Sequence, residues 1–249
     1  MLDKAQSRPD LLLLLSLLLV ILIYPVLDHG NVRRLILGVL TFVPVALATV
    51  RLAQIKAWVW PSVTLMLATL VVGVASNLYS SPRLIATRWG ILTAFFAVTV
   101  FGLFSYLKNA RAVTNSHLFT AVSIYLLIGM QWYALYSAID AIYPNAIRYS
   151  SMAPLDRSSA LLYFSLVTLS TIGYGDLVPL DGEVRMLAAL EGITGVLYLA
   201  SPSRCWLAPT ASRELRVGNE TPQPAIQRRT PIQTRMRAEW KGTALRRVP

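Results

Sequence analysis

The chain has 249 residues, of which 55% are apolar and only 14% are charged, against about 25% charged residues in a typical soluble domain. This composition excludes an ordinary soluble domain and a wholly disordered chain, and the single cysteine, Cys205, excludes a disulfide framework or a multi-cysteine metal site. The net charge of +11 would suit nucleic acid, but residues 201–249 hold ten basic and three acidic side chains, which leaves only +4 for the first 200 residues. We therefore expect no nucleic-acid partner, and we interpret residues 201–249 as a basic, disordered cytoplasmic tail.

Six apolar stretches approach the length of about 20 residues that a helix needs to cross a bilayer. In chain order they are Leu11–Leu27, Leu35–Val50, Trp58–Leu78, Ile91–Leu107, Leu118–Ile139 and Glu183–Ala200. The first could be a signal peptide, but no small-residue cleavage site follows it, so we interpret it as a retained transmembrane helix. The pattern predicts an all-α membrane protein with six transmembrane helices.

A seventh apolar segment, Ser158–Ser170, lies between the fifth and sixth stretches and is too short to span. Glycines follow it at once, and irregular backbone at membrane depth is tolerated only where it is buried in protein or lines a cavity. The segment therefore predicts a re-entrant loop that contains a short helix.

The residues that follow this short helix carry the most specific pattern of the sequence, TLSTIGYGD, at Thr168–Asp176. Its core, TIGYG, resembles the selectivity filter of the potassium-channel family, which is usually TVGYG. The preceding SLVTLS with paired aromatic residues is similar to the family's pore helix. The resemblance covers about residues 118–200, whereas the first four stretches only resemble the six-span arrangement of some family members.

The residue types suit the selection of potassium. A dehydrating K⁺ ion needs several oxygen ligands at once, which rings of backbone carbonyls from four chains supply. Alternating left-handed backbone conformations turn consecutive carbonyls to one side, and glycine adopts them without steric cost. The resemblance implies a filter made of Thr171, Ile172, Gly173, Tyr174 and Gly175.

Further residues are implied as supports of this filter: Tyr163, Phe164, Thr168, Asp176 and Glu191. By resemblance, Tyr163 would hydrogen-bond to Asp176 behind the filter, and Tyr174 would donate a hydrogen bond to the surrounding aromatic residues. Glu191 is a carboxyl group in an apolar span, which marks a functional-site hypothesis. It would brace the pore helix through Ser165 or Thr168, or it would be a protonated and purely structural group.

Gly195 lies 20 positions after Gly175, the spacing of the hinge glycine on the inner helix of relatives. The alternative is close packing between helices, for which glycine is equally suited. The two interpretations are left open at this point.

The sequence is thus interpreted in three parts: residues 1–110 as a four-helix region, 111–200 as the pore domain and 201–249 as the tail. The resemblance implies a homotetrameric channel subunit for passive K⁺ transport in the cytoplasmic membrane, with both termini in the cytoplasm. It implies no enzymatic activity and no cofactor beyond the transported ion, and the partners are K⁺, the lipid bilayer and identical subunits.

The sixth stretch gives only about 27 Å of helix, and the Pro/Arg-rich residues follow it abruptly. We therefore consider a second interpretation, a non-conducting subunit that assembles with intact channels. Residues 201–249 would then be a frame-shifted end rather than the ancestral continuation, which the nucleotide sequence in the other reading frames would test.

Overall fold

Seven helices and two short strands follow one another in the part of the chain that the structure describes. The computed structural model describes residues 2–24, 31–52, 56–79, 81–108, 115–144, 146–149 and 156–201. The elements are α1 (Leu2–Ile23), α2 (Asn31–Leu52), α3 (Lys56–Tyr79), α4 (Pro82–Lys108), α5 (Asn115–Ile142), β1 (Ile147–Tyr149), α6 (Arg157–Leu169), β2 (Leu177–Pro179) and α7 (Gly182–Ala200). Each of the seven apolar segments of the sequence overlaps one helix, although the bounds differ and residues 25–27 of the first segment lie outside the described residues. The predicted tail lies outside the described residues, apart from Ser201.

Three of the helices are long and apolar enough to cross a membrane: Trp58–Ser76 within α3, and the whole of α4 and α5. In α1 and α2 the described apolar stretches are shorter, at Pro9–Ile23 and Thr41–Val50. α7 has 19 residues but carries Glu183, Arg185 and Glu191 among them. The described residues therefore make a mostly helical, multi-pass membrane protein, and the arrangement of six spans stays a prediction.

α5 is the central helix of this unit, and half of its apolar window is buried against 11% for α3. It packs against α4 and α1 on one side and against α6 on the other. Tyr133 of α5 is buried, its hydroxyl lies 2.5 Å from that of Tyr24, directly after α1, and Trp89 of α4 meets its ring edge-on. Helices of the N-terminal region are therefore packed directly on the outer surface of the predicted pore domain.

The two strands were not predicted. β1 pairs with β2 in antiparallel register, with Arg148 opposite Val178, and the Leu180 N–H extends the contact by donating to the Ala146 carbonyl at 2.9 Å. This small ladder joins the connection between α5 and α6 to the residues that follow the glycine-rich motif. The ladder therefore holds residues that precede α6 next to residues that follow the motif.

Candidate functional site

The short helix α6 begins and ends with satisfied backbone groups. At its start the Asp156 carboxylate accepts a hydrogen bond from the Ser158 N–H at 3.2 Å, as an N-cap does. At its end the N–H groups of Thr171 and Ile172 donate to the carbonyls of Thr168 and Val167, both at 3.0 Å. The chain therefore leaves the helix in a tight turn that directs the next residues back along its C-terminal end.

The backbone of the filter segment (Thr171–Gly175) alternates in its φ angles. Thr171, Gly173 and Gly175 have φ of 59°, 53° and 81°, and among the described non-glycine residues only Thr171 is positive. Left-handed conformations at every second position are the backbone condition under which successive carbonyls turn to one side. For Thr171, which is β-branched, this conformation is strained, and such strain is typical of functional sites.

Two large side chains of the filter segment are left exposed by the rest of the described residues. Ile172 is 56% exposed and Tyr174 is 69% exposed, although both are large and apolar. Added Cβ atoms at Gly173 or Gly175 would meet nothing within 4 Å. The side chains of Ile172 and Tyr174 are therefore free to contact a partner chain or lipid.

Tyr163 supports the filter segment from α6. Its ring stacks on that of Tyr174, with centroids 6.3 Å apart and planes only 5° from parallel. The pKa of the Tyr163 hydroxyl is raised, first by partial burial and then by its hydrogen bond to the Asp176 carboxylate. Asp176 also accepts from the Leu177 N–H at 3.1 Å, so it connects the aromatic pair to the start of β2.

Two further predicted support residues make different contacts from those of Tyr163. Phe164 is buried and packs edge-on against Tyr136 of α5 at 5.1 Å rather than around Tyr174. Thr168 contributes its backbone carbonyl to the turn after α6, and the hydroxyl groups that contact Glu191 belong to Ser165 and Tyr136. Tyr174 stacks on Tyr163, and its hydrogen bond to the surrounding aromatic residues stays a prediction.

Glu191 of α7 is fully buried and joins three helices. Its Oε1 lies 2.5 Å from the Ser165 hydroxyl of α6, and its Oε2 accepts from the Tyr136 hydroxyl of α5 at 2.8 Å. Ser165 was one of the two partners expected from the sequence. Tyr136 was missed, although a tyrosine in an apolar helix needs a partner for its hydroxyl, which is a usable signal.

Gly195 lies where α7 crosses the end of α6. An added Cβ atom there would stand 1.9 Å from the Leu169 carbonyl oxygen, which no real contact allows. The Tyr125 hydroxyl donates to the same carbonyl at 3.4 Å. The glycine is therefore required for close packing in this conformation, and the hinge role stays a prediction.

Part of the chain is similar to known proteins. Residues 112–204, just over a third of the chain, match the model of an ion-channel family. A protein of Rhodopseudomonas palustris named as a candidate potassium channel is 49% identical over 41 residues, which are 16% of this chain and 10% of that protein. A two pore potassium channel of Oryza sativa subsp. japonica is 36% identical over 77 residues, or 31% of this chain and 19% of that protein.

The matched segments thus cover a tenth and a fifth of the lengths of these curated relatives. No solved structure matches the chain. Together the matches confirm the resemblance to the potassium-channel family for the region that contains α5, α6, the filter segment and α7.

Proposed function

We propose that this chain is a pore-forming subunit of a potassium-selective channel in which four copies surround one ion pathway. The observation that carries the proposal is the alternation of left-handed residues at Thr171, Gly173 and Gly175, directly after a short helix, within the segment that matches the ion-channel family. Transport is passive and follows the electrochemical gradient.

Selection rests on neutral oxygens. The carbonyls of Ile172, Gly173 and Tyr174 form successive rings in the assembled pore, and the Thr171 hydroxyl adds an inner ring. The C-terminal end of α6 directs the negative end of its dipole towards an ion below the filter. Tyr163 and Asp176 hold the filter segment from behind, and neighbouring copies cover the exposed Ile172 and Tyr174 side chains.

In this proposal the chain crosses the cytoplasmic membrane six times, α6 and the filter segment form a re-entrant loop, and both termini lie in the cytoplasm. The three long apolar helices support the membrane location. The ion-channel match supports the placement of the pore between α5 and α7.

Ion flux into vesicles that contain the purified full chain tests the proposal. We expect K⁺ uptake that exceeds Na⁺ uptake by at least tenfold under equal gradients. Equal uptake of the two ions would contradict selectivity, and no uptake by a correctly assembled protein would contradict conduction.

The length of α7 favours a second candidate function. It has 19 residues, or about 28 Å, and three charged side chains, whereas α4 and α5 have 27 and 28 residues. A short inner helix would fit a non-conducting subunit that assembles with intact channels and modifies them. Co-expression with an intact channel of the same family separates the two, because suppression without any flux of its own is expected only for the second.

A further inference from the structure

Three buried polar side chains meet where α5, α6 and α7 touch. Tyr136, Ser165 and Glu191 are each 0% exposed. Besides its contact with Glu191, the Ser165 hydroxyl lies 2.8 Å from the backbone carbonyl of Gly129 in α5. The four groups form an unbroken line of hydrogen-bonding distances: Tyr136 to Glu191, Glu191 to Ser165, and Ser165 to Gly129.

The donors and acceptors in this line determine whether Glu191 carries a proton. Ser165 has a single hydroxyl proton, while a backbone carbonyl and an ionised carboxylate can only accept. If Glu191 were ionised, Ser165 could donate to Gly129 or to Glu191 but not to both. Either the contact of Ser165 with Glu191 at 2.5 Å or that with Gly129 at 2.8 Å would then join two acceptor oxygens with no proton between them.

A proton on Glu191 removes this conflict. The carboxylic acid donates from Oε1 to Ser165, and Ser165 donates to the Gly129 carbonyl. Tyr136 donates to the remaining oxygen, Oε2. Every group in the line then has its partner, and every hydrogen bond runs in the same direction along the chain of contacts.

The surroundings of the carboxyl group agree with a neutral form. In the described residues its hydrogen-bond partners are two hydroxyl groups, and neither carries a positive charge. An ionised carboxylate in an apolar interior needs a cation or several donors to offset its lost hydration.

We propose that Glu191 is a neutral carboxylic acid, and that Tyr136 is a positioning residue which orients it so that the line to Ser165 and Gly129 fixes α6 between α5 and α7. Its effect on conduction rests on the proposed channel function, whereas the protonation of Glu191 does not. Ser165 lies one turn before Leu169, the last residue of α6, so the line sets where the filter segment begins.

Infrared spectroscopy of the full chain in lipid bilayers tests the protonation directly. The difference spectrum between the unmodified chain and Glu191→Gln at neutral pH is expected to show the C=O stretch of a protonated carboxylic acid, lost in the variant. A carboxylate band lost in its place would overturn the proposal. This measurement gives an answer even if the channel carries no current.

Flux measurements then test the positioning role. Glu191→Gln, whose amide donates to Ser165 and accepts from Tyr136, is expected to keep K⁺ flux and the K⁺/Na⁺ ratio within twofold. Glu191→Ala, Tyr136→Phe and Ser165→Ala, which break the line, are expected to lower the K⁺/Na⁺ ratio at least fivefold. Ser123→Ala is the matched control for Ser165→Ala, because the buried Ser123 hydroxyl has no hydrogen-bond partner among the described residues.

The outcomes separate the two proposals. If the unmodified chain carries no K⁺, the proposed function fails and the infrared result still decides the protonation of Glu191. If the unmodified chain conducts, but Glu191→Gln assembles and loses selectivity as Glu191→Ala does, the neutral carboxyl is overturned. If Tyr136→Phe keeps the full K⁺/Na⁺ ratio, Tyr136 is not a positioning residue.

Discussion

Alanine substitutions at Gly173 and Gly182 together test whether conduction requires the left-handed backbone of the filter segment. A Cβ atom added at either position meets nothing within 4 Å, but only Gly173 has a positive φ. An alanine in the left-handed conformation costs about 1–2 kcal/mol, and in a pore of four copies each copy would bear that cost. We therefore expect Gly173→Ala to abolish K⁺ flux and Gly182→Ala to leave it within twofold, as measured in vesicles. Equal effects of the two substitutions would show that the left-handed backbone is not what conduction requires.

Tyr163 and Asp176 are expected to act as one unit. Tyr163→Phe keeps the stack on Tyr174 but removes the hydroxyl, and Asp176→Asn removes the charge that the hydroxyl meets. If the hydrogen bond is what both residues contribute, the double variant should alter the K⁺/Na⁺ ratio no more than the larger single effect. Additive effects would assign the two residues separate roles.

The stack itself is tested by a second comparison at the same position. Tyr163→Ala removes the ring as well as the hydroxyl, and an aromatic pair contributes about 0.5–1.5 kcal/mol beyond its buried area. We expect a larger loss of selectivity for Tyr163→Ala than for Tyr163→Phe in the same flux assay. Identical losses would show that the ring contact with Tyr174 contributes nothing.

At the scale of helices, alanine substitutions at Gly195 and Gly192 distinguish a packing role from a hinge role on α7. A Cβ atom at Gly195 would stand 1.9 Å from the Leu169 carbonyl oxygen, whereas at Gly192 it would meet the Thr168 carbonyl at an ordinary 3.7 Å. Overpacking of this kind costs about 1–3 kcal/mol. We expect Gly195→Ala to lower the midpoint of thermal unfolding in detergent and Gly192→Ala to leave it unchanged. A Gly195→Ala protein of normal stability but altered flux would instead support the hinge.

The helices could be predicted from the sequence because long apolar runs between polar junctions leave few alternatives in a membrane. Their ends could not: α4 begins at Pro82, nine residues before the predicted Ile91, since a helix readily includes polar residues such as Arg83 and Thr87. β1 and β2 have three residues each, too few for an alternating pattern to be recognised.

The left-handed backbone at Gly173 and Gly175 was predictable for a different reason, namely that TIGYG combines glycines with a spacing that few other structures require. Only one of the two hydrogen-bond partners of Glu191 could be predicted. Ser165 is close in sequence to the motif, whereas Tyr136 is 55 residues from Glu191 and meets it only through the packing of α5 against α6 and α7. The close approach at Gly195 likewise depends on where two helices cross, which no local pattern records.

At the scale of the whole molecule, the exposed apolar side chains of the filter segment and of α7 are not covered by the other residues that the structure describes. On α7 they include Met186, Leu190, Ile193, Val196 and Leu197, each more than half exposed. In a fourfold assembly such a face would be divided between the pore and the neighbouring subunits. We expect the detergent-solubilised protein to have a protein mass of four times 27.5 kDa by light scattering. A monomer that still conducts would contradict the shared filter.

The uneven charge of the chain leads to a separate prediction about residues 205–249. Most of the net charge of +11 lies there, whereas the ion-channel match ends at residue 204 and the proposed selection uses neutral carbonyls. Removing residues 205–249 should therefore leave the tetrameric mass and the K⁺/Na⁺ ratio unchanged. It should also weaken the salt-sensitive attraction of the protein to anionic lipid, which basic side chains supply. The full chain in neutral and in anionic vesicles is the control. A truncated protein that is monomeric or unselective would show that these residues take part in building the pore, and that the region matching the family is not sufficient for it.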